Sequence, residues 1–525
     1  MHSTKAPLIL CSLAALLSLA NQCRAADCES LSNLKLPDTT ITLAQRVTDK
    51  TFTPGDGKPL TDLPEFCRVV GVIKPSSDSN IRFEVWLPIR NWNHKYRGMG
   101  NGGFAGHIDY DGLANSVRRN YAASGTDTGH EANFLDASWA YHHPEKVKDF
   151  GYRAVHLTAE NGKAVIKAFY DAMPQHSYFD ACSDGGREAL MEAQRYPQDY
   201  DGILAGAPAN LWTHLLSAGL AANQALSVHP DGYISQLKLP SLKRAVLDSC
   251  DAQDGLKDGI IDDPRKCHFD PATLLCHGEE TRDCLTAPQV ESVKAIYGGG
   301  RDSKGDLVFP GLMPGSEDGW ELWVTGQAPG QSLGSGFLSG YFRYMVLEDP
   351  TWNPLTANID QVMSEADKNT ARALNSDQPG IGDFIAHGGK LIVYHGWNDA
   401  AISPLNSIRY YQSVITTIGK STAANGIRLY MAPGVGHCIG GPGPSWFGQL
   451  GAATAKGPKY GIYDALEAWV EQGTAPGDII ATKYENDDPK GKVEMTRPLC
   501  PFPQQAKYRG SGDPNDYSNF SCAAP

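Results

Sequence analysis

The strongest constraint on the fold is an alternation of strand and helix patterns that runs twice along the chain and is broken once between. Arg82 to Leu87 alternates β-favouring residues, and a Gly-rich turn from Gly98 to Gly106 follows a short extended piece. From Tyr152 to Asp171 the apolar positions recur at helical spacing. Tyr178 to Ala181 is then extended, Glu188 to Gln194 helical, and Ile203 to Ala205 extended again. The rhythm returns with the β run Lys390 to Tyr394, a helical pattern around Ile408 to Ile418, a strand at Ile427 to Ala432 and a helix at Tyr463 to Glu471. This order predicts an α/β fold on a mostly parallel sheet. The stretch from about 211 to 378 keeps no such rhythm, is rich in Gly, Pro and Asp, and holds four cysteines. It reads as an inserted lid. A chain of 525 residues exceeds one minimal domain and fits a large core carrying such an insertion. The expected layout is a targeting segment at 1–25, core at 26–210, lid at 211–378 and core again at 379–525.

The formal net charge of −13, without a Lys/Arg cluster, argues against a nucleic-acid partner. With 41% hydrophobic and 20% charged residues, the chain is composed like a globular protein. Lys5 followed by the apolar stretch Leu8 to Ala20 resembles a signal peptide, with cleavage near Ala25 or Ala26. No later stretch of about 18 apolar residues is present, so the mature chain is expected to be soluble, secreted or periplasmic, and not membrane-bound. A lipoprotein reading through Cys23 is disfavoured by Gln22, which is not a small residue. Of twelve cysteines, Cys11 and Cys23 fall in the targeting segment, and the ten that remain form an even set that an oxidising compartment would pair.

Ser183, in Ala181-Cys182-Ser183-Asp184-Gly185-Gly186, stands between a predicted strand and a predicted helix. That is the context of a nucleophile elbow, although Ala181 replaces the first Gly of G-x-S-x-G. A serine hydroxyl needs a base, and His437 lies in a Gly-rich loop directly after a predicted strand. Asp399, again just past a strand, is placed to orient the imidazole. Three strand ends thus supply Ser, Asp and His in the chain order of an α/β-hydrolase, so the expected architecture is an α/β-hydrolase core with a large inserted lid. The Asp184 amide is one expected oxyanion donor, and the second comes from Gly102 or Gly103, with Gly103 preferred. Cys182 and Cys438 flank the expected nucleophile and base, which makes a disulfide between them plausible. His130, His142, His143 and His156 show no metal-like spacing and are read as structural. The lid aromatics Phe337, Tyr341, Phe342 and Tyr344 are read either as the wall of an aromatic acyl pocket or as lid core.

The Cys-Ser-x-Gly-Gly-Arg segment, the strand-end Asp399 and the His437-Cys438 pair resemble the tannase and feruloyl esterase family, which includes bacterial hydrolases of mono(2-hydroxyethyl) terephthalate. Asp201 to Pro208 and Tyr341-Phe342-Arg343-Tyr344 extend the likeness over the mature chain. It implies a secreted serine esterase acting on a small aromatic ester through an acyl-enzyme, with a terephthalate monoester hydrolase as the alternative. A non-catalytic binding protein on the same fold would need a broken triad. The resemblance also implies the pairs Cys28–Cys67, Cys250–Cys267, Cys276–Cys284 and Cys500–Cys522. In the lid, Asp251, Asp254 and Asp258 place three carboxylates at offsets of zero, three and seven, a set able to converge on one hard cation. By resemblance the ion is a structural calcium, held by those side chains and by the backbone carbonyls of Leu256 and Ile260.

Overall fold

Runs of residues that are apolar on both faces mark the middle of the sheet, because a strand covered by helices on two sides has no polar face to present. The computed structural model describes residues 27–55, 57–227 and 230–525. Its first eleven strands are β1 (Thr39–Val47), β2 (Phe66–Ile73), β3 (Ile81–Pro88), β4 (Lys95–Met99), β5 (Ala122–Thr126), β6 (His176–Cys182), β7 (Gly202–Gly206), β8 (Gly300–Arg301), β9 (Leu307–Phe309), β10 (Lys390–Gly396) and β11 (Ile427–Ala432). Nine form one sheet in the order β1-β2-β3-β5-β4-β6-β7-β10-β11. The β1–β2, β2–β3 and β3–β5 pairs are antiparallel, and every pairing from β5–β4 to β10–β11 is parallel. The strands that precede Ser183, Asp399 and His437 therefore all lie in the parallel half, with its strands ending at one edge.

Side-chain alternation assigns the two faces. Phe179, Ile203, Leu391 and Val393 pack in one cluster with Ile166, Leu190, Ile408 and Val414, from the helices Ala154–Tyr170, Asp184–Arg195 and Pro404–Ile418. Tyr178, Leu204, Ile392 and Tyr394 point the other way, onto Tyr463, Leu466 and Trp469 of the helix Ile462–Gln472. This is the α/β-hydrolase architecture. The strands β1 and β2 and the small-residue strand β5 are additions to the sequence reading. β1, with Thr39, Thr40, Ile41 and Thr42, and β2, with Val69, Val70, Val72 and Ile73, carry β-favouring residues, whereas Ala122-Ala123-Ser124-Gly125-Thr126 has only one β-branched residue.

Between β7 and β10 the chain leaves the sheet. It forms the helices Trp212–Ser227, Leu239–Cys250, Ala287–Gly298, Leu333–Gly340 and Ile359–Asn369, together with the short antiparallel β8–β9 pair. Leu242, Val246, Val293, Ile296 and Trp320 give this segment a core of its own. Disulfides join Cys28 to Cys67, Cys182 to Cys438, Cys250 to Cys267, Cys276 to Cys284 and Cys500 to Cys522. Among the described residues no helix is long and apolar enough to cross a membrane. The signal peptide expected at 1–25, with Cys23, lies outside the described residues.

Candidate active site

Ser183 is the single residue between the end of β6 and the helix Asp184–Arg195, and its φ of 67° puts it in the left-handed region that a non-glycine residue enters at a cost. Its backbone is held on both sides: Ser183 N–H donates to Gly206 O at 3.0 Å, and its own carbonyl accepts from Ala209 at 3.1 Å. The turn closes only because its neighbours are small. A Cβ on Gly186 would lie 2.3 Å from Gly206 O. Ala181, at the first Gly position of the motif, fits because Gly100 and Gly185 carry no side chain, since a Cβ at either would sit 2.5 Å from the Ala181 methyl.

His437 follows β11 and Asp399 follows β10, so the parallel order of β6, β7, β10 and β11 delivers all three side chains to one edge. His437 Nε2 is 2.9 Å from Ser183 Oγ, and His437 Nδ1 is 2.8 Å from Asp399 Oδ2. Asp399 is fully buried. Burial alone would raise its pKa, but His437 and His395 outweigh that and hold the carboxyl well below the usual carboxylate range. Its Oδ1 accepts from the Ala401 and Ile402 N–H groups at 2.8 and 2.9 Å. His395 Nε2 lies 3.1 Å from Oδ2. A hydroxyl, an imidazole and a buried carboxylate in this relay are arranged to move a proton off the hydroxyl.

The Asp184 and Gly103 N–H groups have no acceptor among the described residues, and both residues line the cavity that opens at Ser183. Gly103 has a φ of 62°, and a Cβ there would meet Phe134 O at 2.5 Å, so only glycine presents this amide. Glu188, which the sequence reading used only as the start of a helix, supports the same loop by accepting from Asn101 N–H at 2.8 Å. Burial, with Asp184 beside it, pushes Glu188 up to about 8, which favours its protonated form. The Cys182–Cys438 bond ties the residue before Ser183 to the residue after His437, with a Cα–Cα distance of 6.0 Å. From the inserted segment, Trp323 meets His437 edge to face at 4.9 Å, and Phe337 also lines the cavity. Tyr341 and Phe342 are buried in the core beneath it, and Tyr344 packs against that core.

The acidic loop is ordered by its own backbone. Asp251 accepts from Asp258 and Gly259 N–H, Asp254 from Leu256 N–H, and Asp258 from Ile260 N–H and Arg497. Asp254 Oδ2 and the Oδ1 of Asp262, a residue absent from the sequence reading, are buried without partners. Burial and the nearby Asp258 and Asp251 push Asp254 up to about 6. Among the described residues the set of three His, Cys, Asp or Glu ligand atoms lying within 4.8 Å of one another is instead His156, Glu192 and Asp199. Spacing could not reveal it, because the partners of His156 lie on other elements. His156 Nδ1 is 2.6 Å from Asp199, and its ring stacks on Tyr196. His130, His142 and His143 bond to Phe104 O, Glu348 and Asp78.

The sequence profile described as "Tannase and feruloyl esterase" matches residues 67–523. The chain belongs to the tannase and feruloyl esterase family. It is 41% identical over 540 residues to an uncharacterized esterase of Xanthomonas campestris pv. campestris, covering 98% of this chain and 93% of that one. It is 34% identical to a probable feruloyl esterase B-2 of Aspergillus flavus, over 83% of this chain and 84% of that one. The crystal structure of feruloyl esterase B from Aspergillus oryzae superposes with a TM-score of 0.87 at 29% identity, over 94% of this chain and 99% of that one. This tannase and feruloyl esterase family member is accordingly a carboxylic ester hydrolase.

If the Cys182–Cys438 bond fixes the two loops, the variant Cys182→Ala/Cys438→Ala should lose roughly 10- to 100-fold in kcat, with KM changed much less. Steady-state kinetics on a chromogenic ester checks this, and a wild-type kcat in the folded variant would show that the bond has no part in positioning.

Proposed function

We propose that this esterase is a serine enzyme that hydrolyses esters of aromatic hydroxycinnamic or hydroxybenzoic acids through an acyl-enzyme. The relay from Ser183 through His437 to Asp399, opening onto an aromatic-walled cavity, carries the reading. As Ser183 Oγ attacks the ester carbonyl, His437 Nε2 takes its proton, and the Asp184 and Gly103 amides receive the charge that develops on the carbonyl oxygen. The imidazolium then protonates the departing alcohol. Water, deprotonated by the same histidine, releases the acid. A non-catalytic binder would not need these groups within hydrogen-bonding distance.

The cavity, of about 170 Å³, includes Ser183 in its lining and has Trp212, Leu215, Trp323, Phe337 and Leu338 among its apolar walls. Its polar lining includes Asn223, Ser332, Ser335 and Ser403, with no Lys, Arg or His among the described lining residues. An apolar slot with neutral polar groups suits a phenolic ring. The free carboxylate of a terephthalate monoester would be buried there without a cation, at a high cost in free energy. Export to an oxidising compartment, secreted or periplasmic, is part of the proposal, supported by the pairing of all ten cysteines from Cys28 onward.

A structural calcium ion in the acidic loop completes the reading, supported by the partnerless buried oxygens of Asp254 and Asp262. Asp251, Asp254 and Asp258 would hold it with the carbonyls of Leu256 and Ile260. The ion would add positive charge to a set in which, among the described residues, Asp258 pairs with Arg497. Ile260 packs against Gly434, three residues before His437, so the loop also buttresses the catalytic edge.

Methyl ferulate, methyl gallate and chlorogenate should be hydrolysed with higher kcat/KM than mono(2-hydroxyethyl) terephthalate, and Ser183→Ala should lower kcat by on the order of 10⁴-fold or more. Failure on every aromatic ester would overturn the substrate reading, and near-wild-type turnover by folded Ser183→Ala would overturn the nucleophile. An ion bound only by the folded state stabilises it by roughly 2.7 kcal/mol at a hundredfold excess over Kd. Chelation should therefore lower the melting temperature, and Asp254→Ala should lower calcium content and melting temperature together while the folded remainder keeps a near-normal kcat. A protein purified without calcium, whose melt chelator leaves unchanged, would show the loop to be an acidic turn only.

A further inference from the structure

We infer that His395 is a positioning residue for the ester hydrolysis, a second imidazole that anchors the Asp399 carboxylate to the central sheet; this rests on the serine-relay reading above. Four donors surround Asp399, but they differ in what they are attached to. Ala401 and Ile402 belong to the same loop as Asp399, so their N–H groups move with it. His437 is the group being oriented and sits on a loop of its own. His395 alone of the four lies within a strand: it is the penultimate residue of β10, paired in register with Met431 of β11. The tether from carboxylate to sheet therefore runs through its imidazole.

Both ring nitrogens are accounted for, as a side chain with 0% exposure requires. Nε2 faces two acceptors, Asp399 Oδ2 at 3.1 Å and Ile402 O at 3.1 Å, so it carries a proton and donates. Nδ1 lies 2.7 Å from Ser407 Oγ, on the helix Pro404–Ile418, and this hydroxyl holds the ring from the far side. His395 thus joins strand, helix and loop at one carboxylate. Its N–H and that of His437 share Oδ2, which fixes the carboxylate rotation that aims Oδ2 at His437 Nδ1. Among the described residues the titratable groups in contact with Asp399 are His437 and His395, with Tyr394 on the other face of β10 within its electrostatic reach.

Removing the His395 donor concentrates negative charge on Oδ2. That charge stabilises the His437 imidazolium, so the acid limb of kcat/KM moves to higher pH. His395→Leu should lose about 10- to 100-fold in kcat, with KM within a few-fold of wild type and the acid limb displaced upward. His395→Gln keeps an N–H near the position of Nε2 and should recover much of the rate and return the limb toward wild type. A purely structural role predicts instead that both variants lose activity together with the limb unmoved, and that result, like full activity in His395→Leu, would overturn the proposal. The wild-type protein provides a test without substitution. With ¹⁵N-labelled histidine, the His395 resonances should report a protonated Nε2 throughout the range in which activity rises; an unprotonated Nε2 would overturn it. If Ser183→Ala remains active, the relay itself fails, and this is read separately from the His395 variants.

Discussion

The arrangement turns on a carboxylate that is fully buried and stays charged. Left alone, Asp399 would take up a proton in such surroundings. Two backbone N–H groups and two imidazoles keep it ionised. In the proposed mechanism this charge acts on His437, the imidazole that takes the proton from Ser183 and returns it. The sheet imposes the same geometry from below, because β6, β10 and β11 run parallel and end together. Strand ends fix where the three side chains start, and the Cys182–Cys438 bond limits how far two of their loops can drift.

Much of this was legible in the sequence because it rests on short-range signals. The strand, turn and helix around Ser183 follow from a brief extended run meeting Gly185 and Gly186, and the structure puts the expected serine, histidine and aspartate within hydrogen-bonding distance. The strand β5 was not legible. It is built of small residues and buried on both faces, so it carries no period-two pattern and little β-branched signal. One helix of the inserted segment was hidden for another reason. Trp212–Ser227 is apolar around much of its circumference, lying between the lid core and the cavity, and so lacks the one-sided stripe that marks a surface helix.

Supporting residues were the hardest to read. His395, Glu188 and Trp323 act on partners brought close only by the fold: His395 on a loop four residues ahead, Glu188 on Asn101, and Trp323 on His437 from another part of the chain. The cluster of His156, Glu192 and Asp199 shows the same limit, since no sequence spacing announces it. The inserted segment gains its meaning in the same way. It supplies most of the residues that line the cavity at Ser183, so under the proposed function the insertion shapes which ester fits.

The central claim, that Ser183 forms the covalent intermediate, is tested most directly by trapping. The protein is treated with diethyl p-nitrophenyl phosphate and its adduct mapped by peptide mass spectrometry. The account predicts one equivalent of p-nitrophenol released with loss of activity, and a single diethylphosphoryl adduct on Ser183 that is absent from Ser183→Ala. An adduct on another residue that accounts for the inactivation, or an active esterase that remains unmodified, would contradict it.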